Sequence, residues 1–199
     1  DRSSDGSAAA GGGLMPIRED AIARAKKIKC VILDVDGVLT DGGIYVAPDG
    51  SELFKPFFAR DGLAISLARK VGIQPALITG RASSIVVNRA KELRIDLVYQ
   101  GSLDKREAYA DIKAKTGLSD EEIAYIGDDI VDLPILRQVG LPCAVGDAVP
   151  EVKEIAQIIA AQPGGRGAVR EVYEIILKTQ GLWDQFLTAF QDDDGDASQ

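Results

Sequence analysis

The chain has 199 residues, no histidine and two cysteines, and its 31 acidic against 23 basic side chains leave a net charge of −8. Without histidine, Ser-His-Asp and Cys-His nucleophile systems and His-ligated zinc sites are excluded, so acid–base or covalent chemistry falls to carboxylates and lysine. The length suits one domain with a sizeable core, and the absence of a basic footprint argues against nucleic acid or an anionic membrane as partner.

Residues 1–14, DRSSDGSAAAGGGL, are small, polar and glycine-rich, and read as a disordered arm or an expression-derived remnant. Arg18–Lys27 predicts a helix, and Ile28–Leu33 (IKCVIL) a short apolar strand. Helical periodicity follows over Asp61–Lys70, Ser83–Leu93, Asp104–Lys115, Asp129–Gln138 and Ala168–Lys178. Strands are predicted between them at Ile73–Ile78, Leu97–Tyr99, Ile123–Ile126 and Pro142–Val145. This alternation implies an α/β, Rossmann-like doubly wound parallel sheet flanked by helices. The domain is expected over 15–181, followed by a C-terminal segment and acidic tail over 182–199. Cys30 and Cys143 lie in apolar runs without C-x-x-C spacing and read as buried free thiols, and no apolar run is long enough to span a membrane, so a cytoplasmic protein is expected.

One stretch interrupts the alternation. Between the first strand and its helix, the turn signals Asp41-Gly42-Gly43 and Pro48-Asp49-Gly50 separate Ile44–Ala47 from Ser51–Phe57. They predict a β-hairpin insertion at about 38–58, too short to be a large cap domain. Its hydrophobes (Ile44, Val46, Leu53, Phe54, Phe57 and Phe58) exceed what a solvated flap can hide, so they are expected to pack against another subunit.

In an open parallel sheet, ligands bind beyond the carboxyl ends of the strands. Here those ends read Leu33-Asp34-Val35-Asp36, Ile78-Thr79-Gly80-Arg81 and Ile126-Gly127-Asp128-Asp129, and Lys105 opens the helix after Leu97–Tyr99. Each motif alone is compatible with an ordinary turn or helix cap; together they describe a divalent-metal and phosphate site. Asp34 is the candidate nucleophile, forming an aspartyl-phosphate, and Asp36 the acid that protonates the leaving alkoxide and then activates water. Asp34 and Asp128 suit Mg²⁺, a hard ion that prefers oxygen, with Asp129 reaching it through water. Thr79 and the Gly80 N–H face a phosphoryl oxygen, and Lys105 supplies a point charge. Asp132 is expected to brace the loop.

These residues carry a resemblance. Asp34-Val35-Asp36-Gly37-Val38-Leu39-Thr40-Asp41-Gly42, then Thr79, Lys105 and Gly127-Asp128-Asp129-Ile130-Val131-Asp132, resemble in order the four motifs of the haloacid-dehalogenase-like phosphatases. The likeness runs from about Ile28 to Gly181, and the second acid at Asp36 points to a phosphatase or mutase rather than a dehalogenase. Leu-Thr-Asp-Gly (39–42), Ala-Arg-Asp-Gly (59–62), Ile-Thr-Gly-Arg (78–81) and Gly-Gly-Arg-Gly-Ala-Val-Arg-Glu (164–171) are similar, more closely, to the 3-deoxy-D-manno-octulosonate 8-phosphate phosphatase family. That resemblance implies a Mg²⁺-dependent, capless homotetramer with hairpins at its centre and sites completed between subunits. It implies metal binding through the Asp36 backbone carbonyl as well, and a phosphorylated eight- or nine-carbon keto acid as substrate.

A keto-acid carboxylate calls for a cation, and arginine's fork fits it best. Arg60, Arg81 and Arg166, in glycine-containing loops, are the candidates, with Lys55 on the hairpin a further substrate-binding candidate. Two positions depart from the resemblance: Phe58 stands where a polar Asn or His is common, and Leu63 where a tyrosine is. They leave open the N-acylneuraminate or deaminated neuraminate 9-phosphate phosphatases. A reading of another class, a non-catalytic oligomeric interaction protein, has no need of the full set Asp34, Asp36, Thr79, Lys105 and Asp128.

Overall fold

A computed structural model describes residues 17–191; the predicted arm and acidic tail lie outside or run beyond that range. Six strands form one parallel sheet: β1 (Cys30–Leu33), β4 (Gln74–Ile78), β5 (Leu97–Tyr99), β6 (Ile123–Gly127), β7 (Leu141–Ala144) and β8 (Ile158–Ile159). Their order is β5-β4-β1-β6-β7-β8. Every residue of β1 is buried, as are all but the first of β4, because helices cover both faces. That burial explains their unbroken apolar runs. One layer holds α1 (Ala21–Ala25) and α2 (Ala59–Lys70), each packed on α7 (Ala168–Thr179). The other brings together α4 (Lys105–Thr116), α5 (Leu133–Leu136) and α6 (Pro150–Ile155). The remaining helices are α3 (Ser84–Glu92) and α8 (Asp184–Gln191). Among the described residues, no helix is long and apolar enough to cross a membrane. Cys30 and Cys143 are both free and buried.

The topology has one consequence for function. The chain leaves β1 with β4 on one side and β6 on the other, so the C-terminal end of β1 is where the strand order reverses. The residues just past β1, β4 and β6 therefore stand side by side at the crevice such a reversal creates.

The inserted hairpin is present as β2 (Tyr45–Val46) and β3 (Glu52–Phe54), antiparallel and separate from the main sheet. Both strands are shorter than the sequence suggests. Pro56 has no N–H to continue a ladder past β3, and the register shifts between Tyr45 and Val46. Tyr45 and Phe54 stack with ring centroids 4.3 Å apart. Ile44, Val46, Leu53 and Phe54 are exposed, whereas Phe57 packs against the core and Phe58 is half-buried. Asp129–Gln138, predicted as one helix, divides into a 3₁₀ turn over Ile130–Asp132 and the short α5, the Asp132 side chain folding back to the backbone instead of continuing the helix. α6, β8 and α8 were not anticipated.

Behind the crevice, Gly164 and Gly165 close against the loop that follows β1. The Gly165 N–H donates to the Val38 carbonyl at 2.9 Å, and the Gly164 N–H to Asp147 Oδ1 at 2.9 Å. A Cβ on Gly164 would fall 1.7 Å from the Gly37 carbonyl oxygen, so only glycine fits. Gly164→Ala should therefore destabilise the protein by about 2–3 kcal/mol through forced backbone displacement. Gly50→Ala, with open space but a φ of +83°, should cost about 1 kcal/mol. Urea unfolding of the two variants would check both the sizes and their order.

Candidate active site

Asp34 follows β1 directly and is held in the sheet by its own N–H, which donates to the Ile126 carbonyl at 3.2 Å. The chain then coils: the N–H groups of Val38, Leu39 and Thr40 all donate to the Val35 carbonyl at 3.0–3.2 Å. Within that coil Gly37 takes a φ of +90°, and a Cβ there would meet Asp128 Oδ2 at 2.0 Å. Glycine at this position thus lets the β6 acid approach the β1 acids. The result is a cavity of about 210 Å³ lined by Asp34, Asp36, Thr79, Arg81, Lys105 and Asp128, with Gly80 and Asp129 also on its wall.

The charges are arranged around one ammonium. Lys105 is buried, and its Nζ lies 3.1 Å from Asp34 Oδ1 and 2.7 Å from Asp132 Oδ1. Burial opposes its charge, but the two carboxylates outweigh burial and hold its pKa above the ordinary lysine value. Tyr125, wholly buried in β6, donates its hydroxyl to Asp132 Oδ1 at 2.5 Å and accepts from Lys105 Nζ at 3.1 Å. The other Asp132 oxygen accepts from the Asp128 and Asp129 N–H groups at 3.0 and 3.3 Å. Asp132 thus has both oxygens committed and fixes the β6 loop and Lys105 together, the bracing role expected of it.

Asp34, Asp128 and Asp132 each place an oxygen within 4.8 Å of the other two. With Asp132 committed, Asp34, Asp128 and the Asp36 carbonyl, which accepts no hydrogen bond among the described residues, are the oxygens available to a cation. Two observations fit a hard divalent ion there. Asp128 Oδ1 is buried and has no hydrogen-bond partner, an arrangement costly without a ligand. Burial, reinforced by Asp34, Asp132 and Asp129, pushes the Asp128 carboxyl up to about 8; burial and Asp132 push Asp34 up to about 6. A dication supplies the positive charge that one lysine cannot.

Of the other sequence candidates, Thr79 is buried at the end of β4 and Arg81 stands at the cavity mouth, its Nε 3.9 Å from Asp36 Oδ2. Lys55 is buried and bonds Asp36 Oδ1 at 2.6 Å and Glu52 Oε1 at 2.8 Å. Arg60 and Arg166 are exposed and outside this cavity in the single chain. Both are nonetheless anchored through a neighbour. Asp61 accepts at Oδ1 from the Arg170 N–H at 2.9 Å, capping α7 from another helix because its own N-cap, Gly167, has no side chain. Burial pushes the Asp61 carboxyl up to about 6. A larger depression of about 610 Å³, around Arg69, Lys91, Arg94 and Asp96, contains neither a nucleophile nor an acid–base pair. Its cations belong to the ends of α2 and α3, where they complement the helix dipoles.

Sequence reasoning missed Tyr125, which reads as one more apolar strand residue, and the Glu52 and Ser83 partners of the hairpin. The bracing network predicts a stability order. Asp132→Asn strips the buried ammonium of one of its two anions and should cost about 3 kcal/mol; Tyr125→Phe removes one hydroxyl and should cost about 1–2 kcal/mol. Chemical denaturation of both variants would check the order.

A family model described as haloacid dehalogenase-like hydrolase matches residues 95–171. The chain is 44% identical over 170 residues to the 3-deoxy-D-manno-octulosonate 8-phosphate phosphatase of Escherichia coli K12, covering 85% of this chain and 90% of that protein. A crystal structure of the Yersinia pestis phosphatase of the same name superposes with a TM-score of 0.81 at 44% identity, over 83% of this chain and 89% of that one. The Moraxella catarrhalis phosphatase, solved with magnesium, phosphate and its sugar acid, gives a TM-score of 0.83 at 40% identity, over 87% and 99%.

Proposed function

The chain belongs to the 3-deoxy-D-manno-octulosonate 8-phosphate phosphatase family of haloacid dehalogenase-like hydrolases, and on that premise we propose how its own residues perform the hydrolysis. It is a Mg²⁺-dependent phosphomonoesterase that converts 3-deoxy-D-manno-octulosonate 8-phosphate to 3-deoxy-D-manno-octulosonate and phosphate through an aspartyl-phosphate. The observation that carries the mechanism is the convergence of Asp34, Asp36, Thr79, Lys105 and Asp128 on one cavity at the switch point.

Asp34 is the nucleophile. Its Oδ1 is oriented by the Val35 N–H at 2.7 Å and by Lys105 at 3.1 Å, so the carboxylate is fixed before substrate arrives. It attacks phosphorus, the bond from phosphorus to the C8 oxygen breaks, and that oxygen takes the proton of Asp36. Water then attacks the aspartyl-phosphate, gives its proton to Asp36, and frees Asp34 and phosphate. Thr79, the Gly80 N–H and Lys105 receive the phosphoryl oxygens, where charge builds in the transition state. Asp34, Asp128 and the Asp36 carbonyl would hold Mg²⁺, with Asp129 through water, and the bound ion would supply positive charge against the phosphate that otherwise repels the attacking carboxylate.

The same proposal extends to the assembly: a homotetramer with hairpins at its centre and each site completed by a neighbour. Its support is the exposure of Ile44, Val46, Leu53 and Phe54, between 46% and 59% each, on a strand pair too small to stand alone. Arg81 receives the keto-acid carboxylate from within the chain. Arg60 and Arg166, exposed outside their own cavity, contribute from across subunit boundaries. Phe58 lies beside Gly167 and helps seat this glycine loop.

Phosphate release with Mg²⁺ from the eight-carbon acid phosphate, the two nine-carbon 9-phosphates and hexose phosphates tests the substrate, and strong preference for the eight-carbon ester is expected. Asp34→Asn should lower turnover at least 10³-fold. A preference for a 9-phosphate would move the substrate and leave the chemistry in place. For the assembly, the double variant Val46→Glu, Leu53→Glu should sediment as a monomer. It should lose at least tenfold in kcat/KM on the sugar acid phosphate while keeping most of its activity on p-nitrophenyl phosphate. A monomer fully active on the sugar ester would refute completion between subunits.

A further inference from the structure

Lys55 reaches the active site from the second arm of the hairpin. Its side chain is only 3% exposed, and its ammonium meets two carboxylates, Asp36 Oδ1 at 2.6 Å and Glu52 Oε1 at 2.8 Å. Glu52 uses its other oxygen, Oε2, to accept from the Ser83 hydroxyl. Ser83 Oγ in turn accepts from the Val86 N–H at 3.3 Å as the N-cap of α3. A continuous polar chain therefore runs from the start of α3, through β3, to the acid two residues past the nucleophile.

This geometry does more than attach the hairpin. A buried lysine keeps its charge only with carboxylate oxygens around it, and here they come from two groups that would otherwise move independently; Asp36 Oδ1 can accept from Lys55 while Oδ2 carries a proton. Asp36 follows a coil and has two rotatable side-chain bonds. Lys55 fixes one of its oxygens. The other, Oδ2, accepts no hydrogen bond among the described residues and lies 3.9 Å from Nε of the exposed Arg81 at the cavity mouth. Lys55 itself is not on the cavity wall, and direct contact with substrate would require it to leave both carboxylates.

We infer that Lys55 and Glu52 are positioning residues for proton transfer: by anchoring Asp36 Oδ1 they present Oδ2 to the leaving oxygen and then to the hydrolytic water. This rests on the reading of Asp36 as the acid–base residue. In the first step the phosphorus–oxygen bond breaks and the leaving alkoxide takes the Oδ2 proton. In the second, water gives a proton back to Oδ2 as its oxygen bonds to phosphorus. The hairpin that presents the exposed apolar face is thus also the element that orients the proton donor.

Leaving-group chemistry separates this role from a structural one. An alkoxide departs only with a proton, whereas p-nitrophenolate departs without one. Pre-steady-state burst rates of the phosphoryl-transfer step, with Mg²⁺ and substrate saturating, and steady-state KM values would be measured on the sugar acid phosphate and on p-nitrophenyl phosphate. Asp36→Asn serves as the reference, beside Lys55→Met, Lys55→Arg and Glu52→Gln. Lys55→Met should lose about 10²-fold on the sugar ester and less than threefold on the nitrophenyl ester, Lys55→Arg should recover part of the loss, and Glu52→Gln should show the same selectivity at smaller size. Equal losses on both esters, no loss on either, or a rise in KM alone would overturn the proposal. Selectivity in Asp36→Asn without selectivity in the Lys55 and Glu52 variants would overturn the positioning role alone. No selectivity in Asp36→Asn would remove the acid–base reading and this proposal with it. If Lys55→Met fails to fold, Glu52→Gln carries the same comparison, since its side chain is 23% exposed.

Discussion

Three carboxylates within 4.8 Å of one another, at the buried end of a parallel sheet, cannot all be ionised without positive charge between them. The rest of the structure is arranged around that constraint. One ammonium, Lys105, is threaded between Asp34 and Asp132, and Tyr125 and two backbone N–H groups complete the coordination of Asp132. What stays uncompensated is Asp128, with a buried oxygen that has no partner. The site is therefore balanced on its Asp132 side and electron-rich on its Asp128 side. The electron-rich side is where a divalent cation belongs.

Much of this was legible in the chain before folding. The apolar runs at Cys30–Leu33 and Ile123–Gly127 are long enough for buried strands, and acids follow each of them directly, so the strand-end rule places Asp34 and Asp128 at one crevice. The Lys105 helix is signalled by Asp104, whose carboxylate accepts from the Arg106 N–H as an N-cap does. What remained hidden was whatever depends on long-range pairing. Tyr125 differs from its apolar neighbours only by a hydroxyl whose partners lie on a loop and on α4. The Ser83–Glu52 contact joins residues 31 apart, and Asp61 caps a helix that begins 107 positions later. No periodicity records such contacts. The two-residue strand Ile158–Ile159 was missed for another reason, since it is held by pairing with Cys143 and Ala144 rather than by a run of its own.

The hairpin illustrates how a small insertion can serve in place of a cap. A separate cap domain would exclude water and select substrate by closing over the cavity. Here the insertion has two short strands, with its apolar side exposed and its ionic side turned to Asp36. Burying the apolar side against other copies would hold the hairpin in place at a favourable 20–30 cal/mol per Å² of area removed from water. The ionic side would then be held equally firmly.

The back wall answers a different demand. The loop bearing Asp34 and Asp36 is coiled around a single carbonyl, and a coil of that kind is precise only if something stops it from unwinding. Gly164 and Gly165 do so by backbone contact too close for any Cβ. They are set there by α7, whose first turn is fixed by Asp61 from α2. The exposed Arg166 projects from this same short segment. The Arg166 backbone is thereby registered against the Asp34–Asp36 coil by the Gly165 N–H bond to Val38 and by the side chains of Asp147 and Asp61. That path keeps the coil carrying Asp34 and Asp36 in register with the glycine loop, and on the proposed mechanism it is this register that would set the attacking carboxylate against the ester.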